Sequence, residues 1–128
     1  MNKKILVVDD EVNIGLLLEN FLSESYDVTY KNNSDDAFKW LEENLPDLVI
    51  CDIQMPNVDG YEVLRSIRNR GFTIHTPVVM LSSKSESNEK IKCYKLGAQD
   101  YLTKPFNPEE LEEVIKKNLN PIHYSISW

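Results

Sequence analysis

The chain has 128 residues, 41% hydrophobic and 27% charged, with a formal net charge of −7. This length fits one domain with a real core, and the mix is that of an ordinary soluble globular protein. The acidic balance argues against nucleic acid as the direct partner, and no stretch approaches the ~20 apolar residues of a membrane span. Lys3 and Lys4 before ILVV superficially suggest a signal peptide, but the apolar run is short and meets acids at once. The two cysteines, Cys51 and Cys93, form no metal-spaced set. They read as reduced thiols in a cytoplasmic protein.

Strand-like and helix-like segments alternate along the chain. KILVV (4–8) is a short run rich in β-branched residues. Over 12–25, Ile14, Leu17, Leu18, Phe21 and Leu22 recur at helical spacing. YDVTY (26–30) alternates like an edge or half-exposed strand. A helix follows over 34–44, with Ala37, Phe38 and Leu41 on one side and Asp35 and Asp36 at its positive end. DLVIC (47–51) reads as a buried strand. Residues 59–70 form a helix with Tyr61, Val63, Leu64 and Ile67 inward. PVVML (77–81) is a third apolar run. A more polar helix spans 86–96 with Ile91, Tyr94 and Leu96, and Gly97 stops it. DYLT (100–103) is the last strand. Asn107-Pro108-Glu109-Glu110 then starts a helix that runs to about Leu119.

Five βα units with apolar central strands predict an α/β fold: a doubly wound, parallel, five-stranded sheet covered on both faces. One domain is expected over 1–120. Residues 121–128 read as a tail or the start of a linker, to which an effector domain could be joined. Their strict alternation (Ile122, Tyr124, Ile126, Trp128) also permits a short pairing strand.

Ligands of open α/β sheets bind beyond the carboxyl ends of the strands. Here those ends carry Asp9 and Asp10, then Asp52, then Ser82 and Ser83, then Thr103 and Lys104. Each alone has an ordinary explanation. Asp10 can cap a helix with Glu11 on its dipole, Asp52 can be a loop acid, Ser82 a cap and Lys104 a surface lysine. Together they pose a physical problem. Two carboxylates ~4 Å apart repel by roughly 4 kcal/mol at an effective dielectric of ~20. Three such groups need protons or a cation. Oxygen donors without a nearby His or Cys suit Mg²⁺ rather than zinc. Adding a lysine and a hydroxyl makes a site suited to phosphoryl transfer.

ILVVDDE, DLVICDIQMPNVDG, PVVMLSS and GAQDYLTKPF, in this order and spacing, resemble the receiver domain of two-component response regulators, of the chemotaxis-receiver type. The likeness covers residues 4 to about 119. It implies the flavodoxin-like strand order 2-1-3-4-5. It implies that Asp52 is the phosphoacceptor, served by a sensor histidine kinase or phosphotransfer protein. Asp10 and Asp52 would hold Mg²⁺ directly, Asp9 through water, and Gln54 through its backbone carbonyl. Lys104 would pair with a phosphoryl oxygen, and the Lys104–Pro105 bond would be cis. Ser82 matches the switch hydroxyl and Tyr101 the switch aromatic. Such a domain is a phosphorylation switch with slow self-dephosphorylation rather than an enzyme with turnover. Its output face would be residues 86–119, meeting a downstream partner or a fused effector.

Some positions depart from the family pattern. Ser82 replaces the commoner Thr, and Ser83 stands where Ala or Gly is frequent. Gln54 and Lys84 occupy positions that tune the lifetime of the phosphorylated state. Homodimers formed on phosphorylation often pair the aspartate before the aromatic with an arginine of the last helix. Asp100 is present, but Val114 stands at the arginine's position, which weakens that form of dimer. Two rivals fit less well. An aspartyl-phosphate phosphatase needs an acid two residues after the nucleophile, where Gln54 stands. A flavin or nucleotide carrier needs a phosphate loop after the first strand, where Asp9, Asp10 and Glu11 would repel phosphate.

Overall fold

The computed structural model describes residues 2–120. The alternating tail therefore lies outside the described residues. Five strands and five helices alternate: β1 (Lys4–Val8), α1 (Val12–Leu22), β2 (Asp27–Lys31), α2 (Ser34–Glu43), β3 (Leu48–Asp52), α3 (Gly60–Asn69), β4 (Val78–Ser82), α4 (Ser87–Lys95), β5 (Asp100–Thr103) and α5 (Pro108–Leu119). All strand pairs are parallel, in the order β2-β1-β3-β4-β5. This is the predicted flavodoxin-like architecture.

The apolar runs explain the order. β3 and β4 are buried at every position and β1 at all but Lys4. Such strands need cover on both faces, so they take the centre. β2 and β5 carry partly exposed positions and take the edges. Alternate side chains then feed two cores. Ile5, Val7, Ile50 and Leu81 pack with Leu18 and Leu22 of α1 and with Leu111 and Ile115 of α5. Leu6, Val8, Cys51 and Met80 pack with α2, α3 and Cys93 of α4. Both cysteines are free and buried.

Asn107 caps α5 as the sequence predicts, whereas Glu11 rather than Asp10 precedes α1 and Glu86 rather than Ser82 precedes α4, neither with a side-chain cap; Asn33 and Asp59 are caps that the sequence reading did not single out. The Asn33 side chain accepts from the Asp36 N–H at 2.8 Å, and the Asn107 side chain accepts from Glu109 at 2.8 Å, with Pro108 following. Asp59 caps α3 by accepting from the Glu62 N–H at 3.2 Å. Element ends differ from expectation by one to three residues. α1 stops at Leu22 rather than residue 25, and Asp52 and Ser82 lie inside β3 and β4 rather than after them.

One face assignment changes. Leu18 and Leu22 are buried, but Leu17 is 55% and Phe21 38% exposed. α1 carries apolar residues nearly all round, so spacing alone does not set which face turns inward. α4 also departs from a core helix. Ile91 and Tyr94 lie near half exposure, and Cys93 is its one buried residue.

Arg68 locks the lower side of the sheet. Its Nε and Nη2 donate to the Gly97 carbonyl at 3.0 and 2.7 Å, Nη2 also to Gln99 Oε1 at 2.8 Å, and Nη1 to the Thr73 carbonyl at 3.2 Å. Gly97 ends α4 with φ of +102°, and a Cβ there would lie 2.8 Å from Arg68 Nε. A left-handed backbone and a close guanidinium both favour glycine. Gly97→Ala is expected to cost about 1–2 kcal/mol, as the left-handed conformation alone does for an L-residue. Urea unfolding measures it, and an unchanged midpoint would show that the turn relaxes freely.

Candidate functional site

Strand register brings the acids together. Val8 pairs with Cys51, so Asp9 and Asp52 follow side by side on adjacent strands. Asp9 is fully buried and Asp52 is 2% exposed, while Asp10 is half-buried. Carboxylate oxygens of Asp9, Asp10 and Asp52 all lie within 4.8 Å of one another. The expected convergence of β1 and β3 on one acidic cluster is therefore present.

The backbone holds these acids firmly. The Asp9 N–H donates to the Lys31 carbonyl at 3.2 Å, and its own carbonyl accepts from the Tyr30 hydroxyl at 2.7 Å. Asp9 Oδ1 accepts from the Glu11 N–H at 2.9 Å. Beyond Asp52 the chain makes a tight loop with Asn57 at φ of 68°. The Gly60 N–H then returns to the Ile53 carbonyl at 2.9 Å. A Cβ on Gly60 would lie 2.2 Å from the Asp52 carbonyl oxygen, so only glycine lets α3 start this close.

Lys104 supplies the positive charge. It is brought in after β5, and its bond to Pro105 is cis. Its Nζ lies 2.9 Å from Asp9 Oδ2, 3.0 Å from Glu11 Oε1 and 3.3 Å from Asp52 Oδ1. Burial pulls the Lys104 pKa down, but Asp9, Glu11 and Asp52 outweigh it and hold it above the usual lysine value. Burial pushes Asp52 up to about 7, and the charge of Asp9 adds to this against the pull of Lys104. Asp9 is raised as well, chiefly by burial. One cation thus serves three carboxylates, two of them buried.

The donor set fits a hard divalent cation. All three acidic side chains offer oxygen, and no His or Cys ligand accompanies them. Asp9 Oδ2 is buried and has no hydrogen-bond donor. Lys104 approaches it at ion-pair distance but without hydrogen-bond alignment. An aligned positive partner is what that oxygen lacks.

A second polar group adjoins the acids at the end of β4. Ser82 is fully buried, donates to Gln54 Oε1 at 3.1 Å and accepts from the Lys84 N–H at 3.0 Å. The Lys84 carbonyl accepts in turn from the Tyr101 hydroxyl. Tyr101 is itself buried. Ser82, Lys84 and Tyr101 therefore form one hydrogen-bonded series from the acid cluster towards α4.

A family model for the response regulator receiver domain matches residues 5–116. The chain belongs to that family. It is the receiver domain of a two-component response regulator. The alkaline phosphatase synthesis transcriptional regulatory protein PhoP of Bacillus subtilis is 43% identical over 117 residues, which are 91% of this chain and 48% of that protein. This receiver domain thus spans about half the length of that curated relative. Chemotaxis protein CheY4 of Vibrio cholerae matches with a TM-score of 0.89 and 28% identity, covering 93% of this chain and all of that one. Response regulator DrrB, a Thermotoga maritima OmpR/PhoB homolog, matches with a TM-score of 0.87 and 33% identity, covering 95% of this chain and 54% of DrrB.

Two charged contacts were hidden in the sequence. Glu11 reads there as helix-dipole chemistry, yet it is the residue before α1 and pairs with Lys104. Its partner lies 93 positions away, so no local pattern announces it. Asp100, whose dimer role the sequence already weakens, meets Lys117 at 3.2 Å and Asn118 at 2.8 Å within the same chain.

Removing one buried like charge should relieve this receiver site. Asp52→Asn is expected to raise the melting temperature of the metal-free protein by about 4–7 °C, the shift for ~1–2 kcal/mol in a chain of this size. Added Mg²⁺ should raise the parent protein's melting point more than the variant's. Equal melting of the two metal-free proteins would mean that Lys104 already cancels the repulsion.

Proposed function

We propose that Asp52 takes a phosphoryl group from the phosphohistidine of a sensor histidine kinase or phosphotransfer protein. The carrying observation is the placement of a buried carboxylate between two further acids and a lysine, at the strand ends of a receiver fold. An Asp52 oxygen attacks phosphorus, the phosphorus–nitrogen bond to the imidazole breaks, and the imidazole takes up a proton. The product on Asp52 is an acyl phosphate. Asp10 and Asp52 would hold Mg²⁺ directly, Asp9 would hold it through a water, and Gln54 would offer its backbone carbonyl. When bound, the cation neutralises charge on the phosphoryl oxygens. Lys104 has to leave part of its present carboxylate shell to meet a phosphoryl oxygen. Its three carboxylate neighbours keep it charged for that purpose.

The switch then runs through Ser82 and Tyr101. New anionic oxygens at Asp52 compete with Gln54 for the Ser82 hydroxyl. Ser82 also accepts from Lys84, so its movement disturbs the residue that receives the Tyr101 hydroxyl. The response reaches the face made by residues 86–119. That face engages a downstream partner or a fused effector, and self-dephosphorylation is slow. PhoP is named a transcriptional regulatory protein and is about twice as long as the matched segment. This supports a fused effector, with 1–120 as the receiver unit and 121–128 opening the linker. A homodimer on phosphorylation would use a pairing other than the aspartate–arginine bridge, because Val114 stands at the arginine's position. No described helix is long and apolar enough to cross a membrane. We place the domain in the cytoplasm, with its kinase and without direct nucleic-acid contact.

Incubation with acetyl phosphate and Mg²⁺ should label the parent protein and leave Asp52→Asn unlabelled. Full labelling of that variant would defeat the assignment. Ser82→Ala should still be labelled but lose the amide shift changes in α4 and β5 on nuclear magnetic resonance. Retention of those changes would remove Ser82 from the relay.

A further inference from the structure

The helices run back against the strands, so the ends of α2 and α3 lie at the sheet edge opposite the acids. There, the end of α2 and the α3–β4 connection enclose a groove of about 550 Å³. Leu41, Leu45 and Phe72 supply its apolar surface. Phe72 is 90% exposed and Leu45 52%. An aromatic side chain this bare is unusual beside an apolar groove, and such patches mark contact sites. The groove is also charged in a divided way. Glu42 and Glu43 come from the α2 side and Arg70 from the α3 side. None of these three has an ionic partner among the described residues.

We propose that this groove binds a second copy of the chain, about a two-fold axis, independently of phosphorylation. In an isologous contact the same patch must complement itself. This one does: each Phe72 covers the Leu41–Leu45 side of the other copy, and each Arg70 meets the other copy's Glu42 and Glu43. Residues 122–128 are a poorer occupant, because they contain no Asp, Glu, Lys or Arg to meet those charges. One aromatic and one small groove per copy make a contact below the ~1,200 Å² of stable complexes. The association is therefore weak and reversible.

Sedimentation equilibrium of the full chain without phosphodonor tests this, from about 10 μM to about 1 mM, the range of weak complexes. The mean mass should rise towards that of a dimer. Phe72→Asp should weaken association by about tenfold or more, as expected for a central aromatic anchor. Its thermal melting and Asp52 labelling should match the parent's, since Phe72 is bare and far from the acids. Arg70→Glu alone and the double variant Glu42→Arg/Glu43→Arg alone should both be monomeric. An equimolar mixture of those two should associate, because every cross-pair is then of opposite sign. A monomeric parent across the range, full association of Phe72→Asp, or a mixture that stays monomeric would each overturn the proposal.

Discussion

Two buried carboxylates on neighbouring strands are held in one fold by a single ammonium group. Asp9 and Asp52 sit side by side because β1 and β3 pair in a fixed register, and both lie out of water. Burying one unpaired carboxylate costs several kcal/mol, and a like charge alongside raises that cost. Lys104 reduces it by reaching from the edge strand β5, past the ends of β4 and β3, to touch both acids and Glu11. The arrangement leaves charge over: three nearby carboxylates and Glu11 face one lysine. That surplus is what fits the site for a divalent cation. It also keeps Lys104 charged beside Asp52.

The same register bears on the proposed route from Asp52 to α4. Asp52 pairs with Leu81, so Ser82 lies one step further along β4 and points to the opposite face of the sheet. Leu81 belongs to the core beneath α1 and α5, whereas Tyr101 belongs to the core beneath α3 and α4. Ser82 is thus where the acid cluster meets the α4 side. The element waiting there is loosely held. α4 buries only Cys93. Two lysines supplement it: Lys92 lies 4.0 Å from the Tyr61 ring centre and Lys90 5.8 Å from that of Tyr101. Few buried apolar contacts mean a low local free energy of opening. A change of one or two hydrogen bonds at Ser82 and Lys84 is of a size that such a helix can answer.

Legibility in the sequence tracked the range of the interaction. Strand centres, the Asn107 cap and the polar strand ends depend on neighbours a few residues apart, and they could be read directly. Sheet order came from apolar runs long enough to require two covered faces. Pairings across the chain left no local trace. Glu11 with Lys104, Asp100 with Lys117, and Arg68 with Gly97 and Gln99 depend on tertiary placement. The inward face of α1 failed for a different reason. With Ile14, Leu16, Leu17, Leu18, Phe21 and Leu22 all apolar, several phases satisfy a helical period equally well, and packing against β1 and β2 decides.

The exposed apolar residues separate into two kinds once the fold is known. Leu17 and Phe21 on α1, and Ile91 and Tyr94 on α4, sit on helices whose other sides pack the sheet. Each lies near half exposure, so much of its surface is already covered. Phe72 belongs to a connection rather than a helix and leaves nine-tenths of its surface in water. The α3–β4 chain needs no aromatic there to close its turn. The Thr73 hydroxyl already donates to the Ile67 carbonyl at 2.6 Å, and the Thr73 and Thr76 N–H groups complete the backbone bonds. Phe72 is therefore not required by this turn. A ring held outward, beside charges of both signs that have no ionic partner among the described residues, is the feature that the proposed second copy would cover.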